Sequence, residues 1–252
     1  MTTDQILTGA IDIGEQLLIN GAEINRVEDT IDRICTAYHI RQRHIFCIAS
    51  CIIVSLETTD DKWITQMRRI ANYGTNMHKL DRLNNLSRTM CQNLLSWEEF
   101  HEEFTSIINE EEYSFRIQLA ISSIAAAAFT IFFGGDLWDG FTSLFMGALL
   151  TLTLHGMQML KIKKFFSNII CSVISGLACI CACNLGLGHH LDTIMIGNIM
   201  LLIPGVLLTN SFRDLINGDT ITGLLHFSEA MITAICVAGG FIIAIILTGG
   251  RL

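Results

Sequence analysis

Charge is scarce in this sequence and proline almost absent. Only 16% of the 252 residues are Asp, Glu, Lys or Arg and 51% are hydrophobic, too apolar for an ordinary soluble domain and too evenly charged for a disordered chain. The shortage is uneven. Residues 1–115 carry 10 basic against 18 acidic residues, a net −8, whereas residues 116–252 carry 6 of each. This asymmetry predicts an acidic, soluble amino-terminal domain over 1–115 and a membrane domain over 116–252.

Other absences narrow the function. No basic segment precedes a long uncharged core at the start, where Asp12 and Glu15 interrupt the apolar pattern, so no secretory signal is expected and the first domain is assigned to the cytoplasm. Nine cysteines form no metal pattern: Cys47 and Cys51 are four apart, and Cys179, Cys181 and Cys183 alternate within an apolar run. They read as small apolar fillers. There is no nucleophile with a base at short spacing, no Gly-rich phosphate loop and no hydrolase-like carboxylate pair. Neither an enzyme nor a cofactor, metal or nucleic-acid partner is expected, and a membrane-anchored hydrolase or a regulatory scaffold is the weaker alternative.

What is present in the first domain is an α+β pattern. Apolar residues at helical spacing run from Asp4 to Asn20 and end at Gly21, and a second amphipathic helix spans Glu23 to Tyr38, with Val27, Ile31 and Ile34 on one face and Arg26, Glu28, Asp29 and Arg33 on the other. Residues 44–58 are β-branched and aromatic and predict one strand, turned at Thr59, Asp60 and Asp61 and paired with residues 62–70. Helices then follow from Met77 to Leu94 and, after the capping box Ser96 and Glu99, to about Ile108. Gly21, Glu23, Arg26 and Glu28 form a polar cluster that is either a functional face or a solvated one.

The second half predicts an α-helical multi-pass membrane domain of about five spans, near 117–135, 140–160, 165–188, 193–212 and 224–248. Basic connectors at Lys161, Lys163, Lys164 and Arg213 are placed inside, with the amino terminus, and Arg251 falls outside. Ser172 with Gly176, and Ala230, Ala234 and Ala238, offer flat faces for helix contact. A thin bundle without an internal repeat implies a partner or a higher oligomer.

The lone proline sits in the fourth of these stretches. Pro204 has no amide to close the helical ladder and Gly205 relaxes the next position, so the helix is expected to break near mid-membrane. The half-helix beginning at Gly205 then points its positive end at the break, where a carboxylate would bind, with Thr209, Asn210, Arg213 and Asp214 following. A merely kinked helix is the competing reading. His155, His226 and Glu229 are proton-coupling candidates, because intramembrane ionisable groups need a cavity or a partner.

Three motifs in order, GAEINRVEDTIDRI at 21–34, LNNLSR at 83–88 and PGVLLTNSFRDLINGD at 204–219, resemble the threonine/serine exporter (ThrE) family in its split two-subunit form. The resemblance implies secondary export of threonine, serine or, in split pairs, succinate across the plasma (inner) membrane, with a small all-membrane partner subunit. It also puts family weight on Gly21, Glu23, Arg26 and Glu28, and on Thr209, Asn210, Arg213, Asp214, Gly218 and Asp219.

Overall fold

The computed structural model describes residues 1–71, 74–111 and 113–249, so Arg251 lies outside the described residues. The chain is mostly helical and forms two compact units: Met1–Glu111 with Val206–Phe227, and Glu112–Gly205 with Ser228–Leu252.

In the first unit, α1 (Thr3–Ile19) opens on a capping box between Thr2 and Gln5, and α2 (Ile24–Ala37) follows a tight turn at Gly21. Next come β1 (Arg43–Ile48), β2 (Cys51–Glu57) and β3 (Trp63–Arg69), an antiparallel meander in the order β1-β2-β3. The single strand expected over 44–58 is therefore a hairpin. Ile48 pairs with Cys51, and Ala49 and Ser50 make the turn without Gly, Asn or Pro to announce it.

On β2, alternate residues Ile52, Val54 and Leu56 are fully buried, and α1 packs on this strand through a core that includes Leu7, Ile11, Ile31 and Ile34. Helices α3 (Met77–Asn93) and α4 (Trp97–Ile108) close that core with Leu83, Met90 and Phe100, and Ser96 and Glu99 form the expected reciprocal cap of α4. Arg68 of β3 is paired to Asp12 on α1 at 2.9 Å, which ties sheet to helix at a half-buried site.

The second unit is built on α5 (Phe115–Phe132), α6 (Leu137–Met159), α7 (Lys164–Asn184) and α8 (Leu191–Ile199). The later part of α10 (Thr220–Leu247) completes it, while Thr220–Phe227 counts with the first unit. Among the described residues, α5, α6, α7 and α10 are long and apolar enough to cross a membrane. The expected crossing at 193–212 is divided: α8 has nine residues, about 13 Å at ~1.5 Å per residue, and the chain restarts as α9 (Gly205–Asn217). Four helices of spanning length therefore stand where five were expected.

Small residues set the packing of this unit. A Cβ on Gly176 of α7 would lie 2.7 Å from the Ala244 methyl, and one on Gly240 of α10 would lie 2.5 Å from Ser172 Cβ. Ser172 and Gly176 are thus contact residues as expected, and they meet Gly240 and Ala244 of α10. Gly147 of α6 likewise presses on Ala126 of α5, and Gly197 of α8 on Thr130.

Candidate functional site

The break at Pro204 is built in two steps. The last turn after α8 tightens, with the Leu202 and Ile203 amides both donating to the Ile199 carbonyl at 2.8 and 3.1 Å, and Pro204 then has no amide with which to continue. Helix α9 begins at the next residue, Gly205, where sequence reasoning placed the half-helix.

From there α9 and the first turns of α10 form a hairpin within the first unit. Gly218, at φ +96°, reverses the chain, and the Asp219 amide donates to the Asp214 carbonyl at 2.9 Å. Gly223 lets the two helices touch: a Cβ there would sit 2.9 Å from the Ser211 carbonyl and 2.6 Å from Leu215 Cγ. That close approach sets His226 opposite Asp214, with Nδ1 3.3 Å from Oδ2. Asp214 is fully buried and His226 nearly so, and Asp214 Oδ1 has no hydrogen-bond partner among the described residues.

The hairpin is fastened to the amino-terminal motif. Asn210 Nδ2 donates to the Gly21 carbonyl at 3.1 Å, Arg213 forms an ion pair with Glu23, and the Ala49 amide donates to Thr222 Oγ1 at 3.3 Å. Gly21 is at φ +95° and a Cβ on it would lie 3.0 Å from the Gly74 carbonyl, so the turn that presents its carbonyl to Asn210 suits glycine. A small cavity of about 30 Å³ remains beside these contacts, lined by Gly21, Ala49, Gly74, Thr75, Asn210 and His226 among others. Two stretches some 190 residues apart in sequence thus meet at one polar seam.

Glu28 serves the same region from a different direction, its Oε1 accepting the Cys47 amide at 3.0 Å. Burial pushes its carboxyl above the usual range, and the charge of Asp219 adds to that. Asp219 is raised too, by burial and then by Asp214. Arg26, the fourth residue of the amino-terminal cluster, is exposed and lines a separate groove between α2 and α3.

The remaining candidates fall elsewhere. Thr209 lies on an exposed face of α9, and Pro204 is half-buried. His155 packs at a tilt against Phe115, ring centroids 4.3 Å apart, and Glu229 pairs with Lys164 at 3.1 Å. The structure therefore joins Asp214 to His226, and Asn210 and Arg213 to the amino-terminal motif, while His155 and Glu229 have partners of their own in the second unit.

Two groups escaped the sequence reading. Thr130 Oγ1 donates to Ser143 Oγ at 2.6 Å and Asn198 Nδ2 donates to the same oxygen at 2.9 Å, a fully buried network joining α5, α6 and α8. None of these residues is charged, so nothing marked them. The second group has Asp136 and Asp139 capping α6 reciprocally, with His189 Nδ1 2.6 Å from Asp136 and His190 Nδ1 2.7 Å from the buried Asp139. Asp136, Asp139 and His189 each offer a ligand atom within 4.8 Å of the others, the one such set among the described residues. Hydrogen bonds already engage these atoms, and the Asp-x-x-Asp spacing is the capping signal that could have found them.

Known proteins bear on this arrangement. The family described as "Putative threonine/serine exporter" matches residues 9–248. A "Probable succinate transporter subunit YjjP" of Klebsiella aerogenes is 25% identical over 93% of this chain and 91% of its own length. Its Escherichia coli K12 counterpart of the same name is 24% identical over 96% and 94%. A "Probable threonine/serine exporter" of Mycobacterium tuberculosis is 21% identical over 96% of this chain but only 46% of its own length. No solved structure matches. With the family matched over nearly the whole chain, and with four apolar helices of spanning length among the described residues, the chain belongs to the threonine/serine exporter (ThrE) family of membrane transporters.

Proposed function

We propose that this chain is the larger subunit of a secondary transporter exporting small carboxylate-bearing metabolites, of the threonine and serine type, across the plasma membrane, with its amino-terminal domain in the cytoplasm. The observation that carries the proposal is the buried Asp214–His226 pair on the hairpin that follows the break at Pro204. A carboxylate withdrawn from water with one oxygen unpartnered is costly unless it does something, and exchanging a proton is what such groups do in transporters. The amino end of α9 supplies a partial positive charge at Gly205 for the solute's carboxylate, with Thr209 and Asn210 one turn further on. In this reading His226 shares the proton with Asp214, and Asn210 trades its bond to Gly21 for one to the solute.

The matched lengths support a two-subunit machine. The chain covers nearly all of the YjjP proteins, named as subunits, but less than half of the Mycobacterium tuberculosis exporter. The other half of that longer protein is what a small all-membrane partner would supply. Succinate is the alternative cargo, favoured by the names of the two relatives of matching length.

The test is efflux of preloaded threonine, serine and succinate from cells expressing the chain with and without such a partner. Export is expected only with the partner, and Asn210→Ala and Asp214→Asn should each abolish it while the protein still reaches the membrane. Unimpaired export by both variants would remove this site assignment, and no efflux of any of the three solutes with the partner present would remove the cargo class.

A further inference from the structure

The groove between α2 and α3 has no part in the seam or in the export reading. It encloses about 520 Å³, within the range of roughly 300–1,000 Å³ typical of small-molecule sites. One wall is α2, from the stretch GAEINRVEDTIDRI, and the other is α3, from the stretch LNNLSR and the turn after it. Two motifs that sequence reasoning singled out separately thus face one another across it.

The charge of the lining runs against that of its surroundings. Residues 1–115 carry a net charge of −8, yet three of their ten basic residues, Arg26, Arg33 and Arg88, line this groove and Asp29 is the one carboxylate there. Three of the seven basic residues of the region outside the groove are committed, Arg43 to Asp32, Arg68 to Asp12 and Arg82 to Glu110. Arg26 and Arg88 make no ion pair among the described residues. Arg33 is held by Asp29 alone at 2.8 Å, with both side chains more than half exposed, a pairing that an incoming anion can displace at little cost. Three arginines against one carboxylate line this concavity on an otherwise acidic region, and each guanidinium offers the planar fork that suits carboxylate and phosphate oxygens.

The floor is polar and ordered. Thr30, Asn84 and Ser87 are each more than nine-tenths buried, and all three turn their donors back onto carbonyls of their own helices: Thr30 onto Arg26 at 2.8 Å, Asn84 onto Leu80 at 2.6 Å, Ser87 onto Asn84 at 2.8 Å. These bonds fix the floor and leave anion recognition to the arginines at the rim.

We propose that this groove is a binding site for a small organic or inorganic polyanion, one carrying at least two carboxylate or phosphate groups, held by Arg26, Arg33 and Arg88. Such a ligand gives the amino-terminal domain a metabolite to sense. The site is independent of the solute path, so it stands or falls apart from the export reading.

The test is isothermal titration calorimetry on the purified full-length chain in detergent, with pyrophosphate, citrate and succinate as probes and ionic strength matched by sodium chloride. At least one probe should bind saturably. Its affinity should fall about tenfold or more in Arg26→Gln and in Arg88→Gln, fall less in Arg26→Lys, and stay unchanged in Arg41→Gln, an exposed arginine outside the groove. Binding of pyrophosphate alone would assign a phosphate-bearing ligand, and binding of citrate or succinate a carboxylate one. The proposal is overturned if no probe binds, if Arg41→Gln weakens binding as much as the groove variants, or if binding survives Arg26→Gln/Arg88→Gln. Succinate binding that is lost in Asn210→Ala and kept in the arginine variants would belong to the transport site and would likewise overturn it.

Discussion

Gly21 shows how much one backbone angle can hold in place. At φ +95° and with a carbonyl oxygen 3.0 Å from where its Cβ would be, it presents its own carbonyl to Asn210. Gly21→Ala should destabilise the purified chain by about 1–2 kcal/mol, read as a lower melting temperature, for forcing an L-residue into the left-handed region. Asn210→Ala should cost about 1 kcal/mol for its single neutral hydrogen bond, so export lost in that variant would exceed what its stability explains. Asp214→Ala removes the carboxylate facing His226 at a buried site and is expected to cost about 1–3 kcal/mol, whereas Asp214→Asn preserves the shape and a polar contact.

Glu28 and Asp219 add a pH dependence at the same seam. Both carboxyls titrate above their ordinary values of 4.5 and 3.8 in the folded chain, chiefly because they are partly buried. The folded state therefore holds protons that the unfolded state has released. Their contribution to stability is fully present below the ordinary values and is lost as pH rises through the elevated ones. Glu28→Gln keeps an oxygen for the Cys47 amide but has nothing to ionise, so its melting temperature should exceed the parent's at neutral pH and converge with it in acid. A parallel pair of melting curves across pH would refute this.

At the scale of elements, what could be read from the sequence followed local chemistry. Helices α1 to α4 were legible because apolar residues recur at helical spacing and the α4 cap is a reciprocal Ser96 and Glu99 pair. The division of 44–58 into β1 and β2 was not, since Ala49 and Ser50 carry no turn signal and the turn is supported from far away by Thr222 and by the Ile70 amide on the Ser50 carbonyl. Pro204 announced the end of one helix and the start of α9 at Gly205. It could not announce where α9 goes, because the bonds from Asn210 to Gly21 and from Arg213 to Glu23 join residues about 190 positions apart and have no local trace. The small-residue rule found Ser172 and Gly176 but could not single out Gly240 and Ala244, which they meet, because α10 offers alanines and glycines on several faces. Because Gly240 seats directly on Ser172, Gly240→Val is expected to lower thermal stability in detergent by about 1–3 kcal/mol, with Gly239→Val, which meets nothing within 4 Å, as the neutral comparison.

At the scale of the whole molecule, the acidic and apolar halves visible in composition correspond to different kinds of structure, a helix-covered sheet and a set of long apolar helices, but the chain does not pass once from one to the other. The first unit is made of Met1–Glu111 and Val206–Phe227, with 94 residues of the second unit between them. The amino-terminal fragment ending at Glu111 should consequently be poorly soluble or aggregate on expression, and co-expression with the α9–α10 hairpin should restore a monodisperse species in gel filtration. A well-behaved monomer from the fragment alone would contradict this.

The same interleaving dictates an order of events during synthesis. When Glu111 leaves the ribosome, the Gly21 carbonyl and the Ala49 amide still await the side chains that will meet them, and at least three long apolar helices must be handed to the insertion machinery first. The nascent amino-terminal portion therefore waits, unfinished, until the returning hairpin is translated, and its completion reports that the intervening helices have already been made.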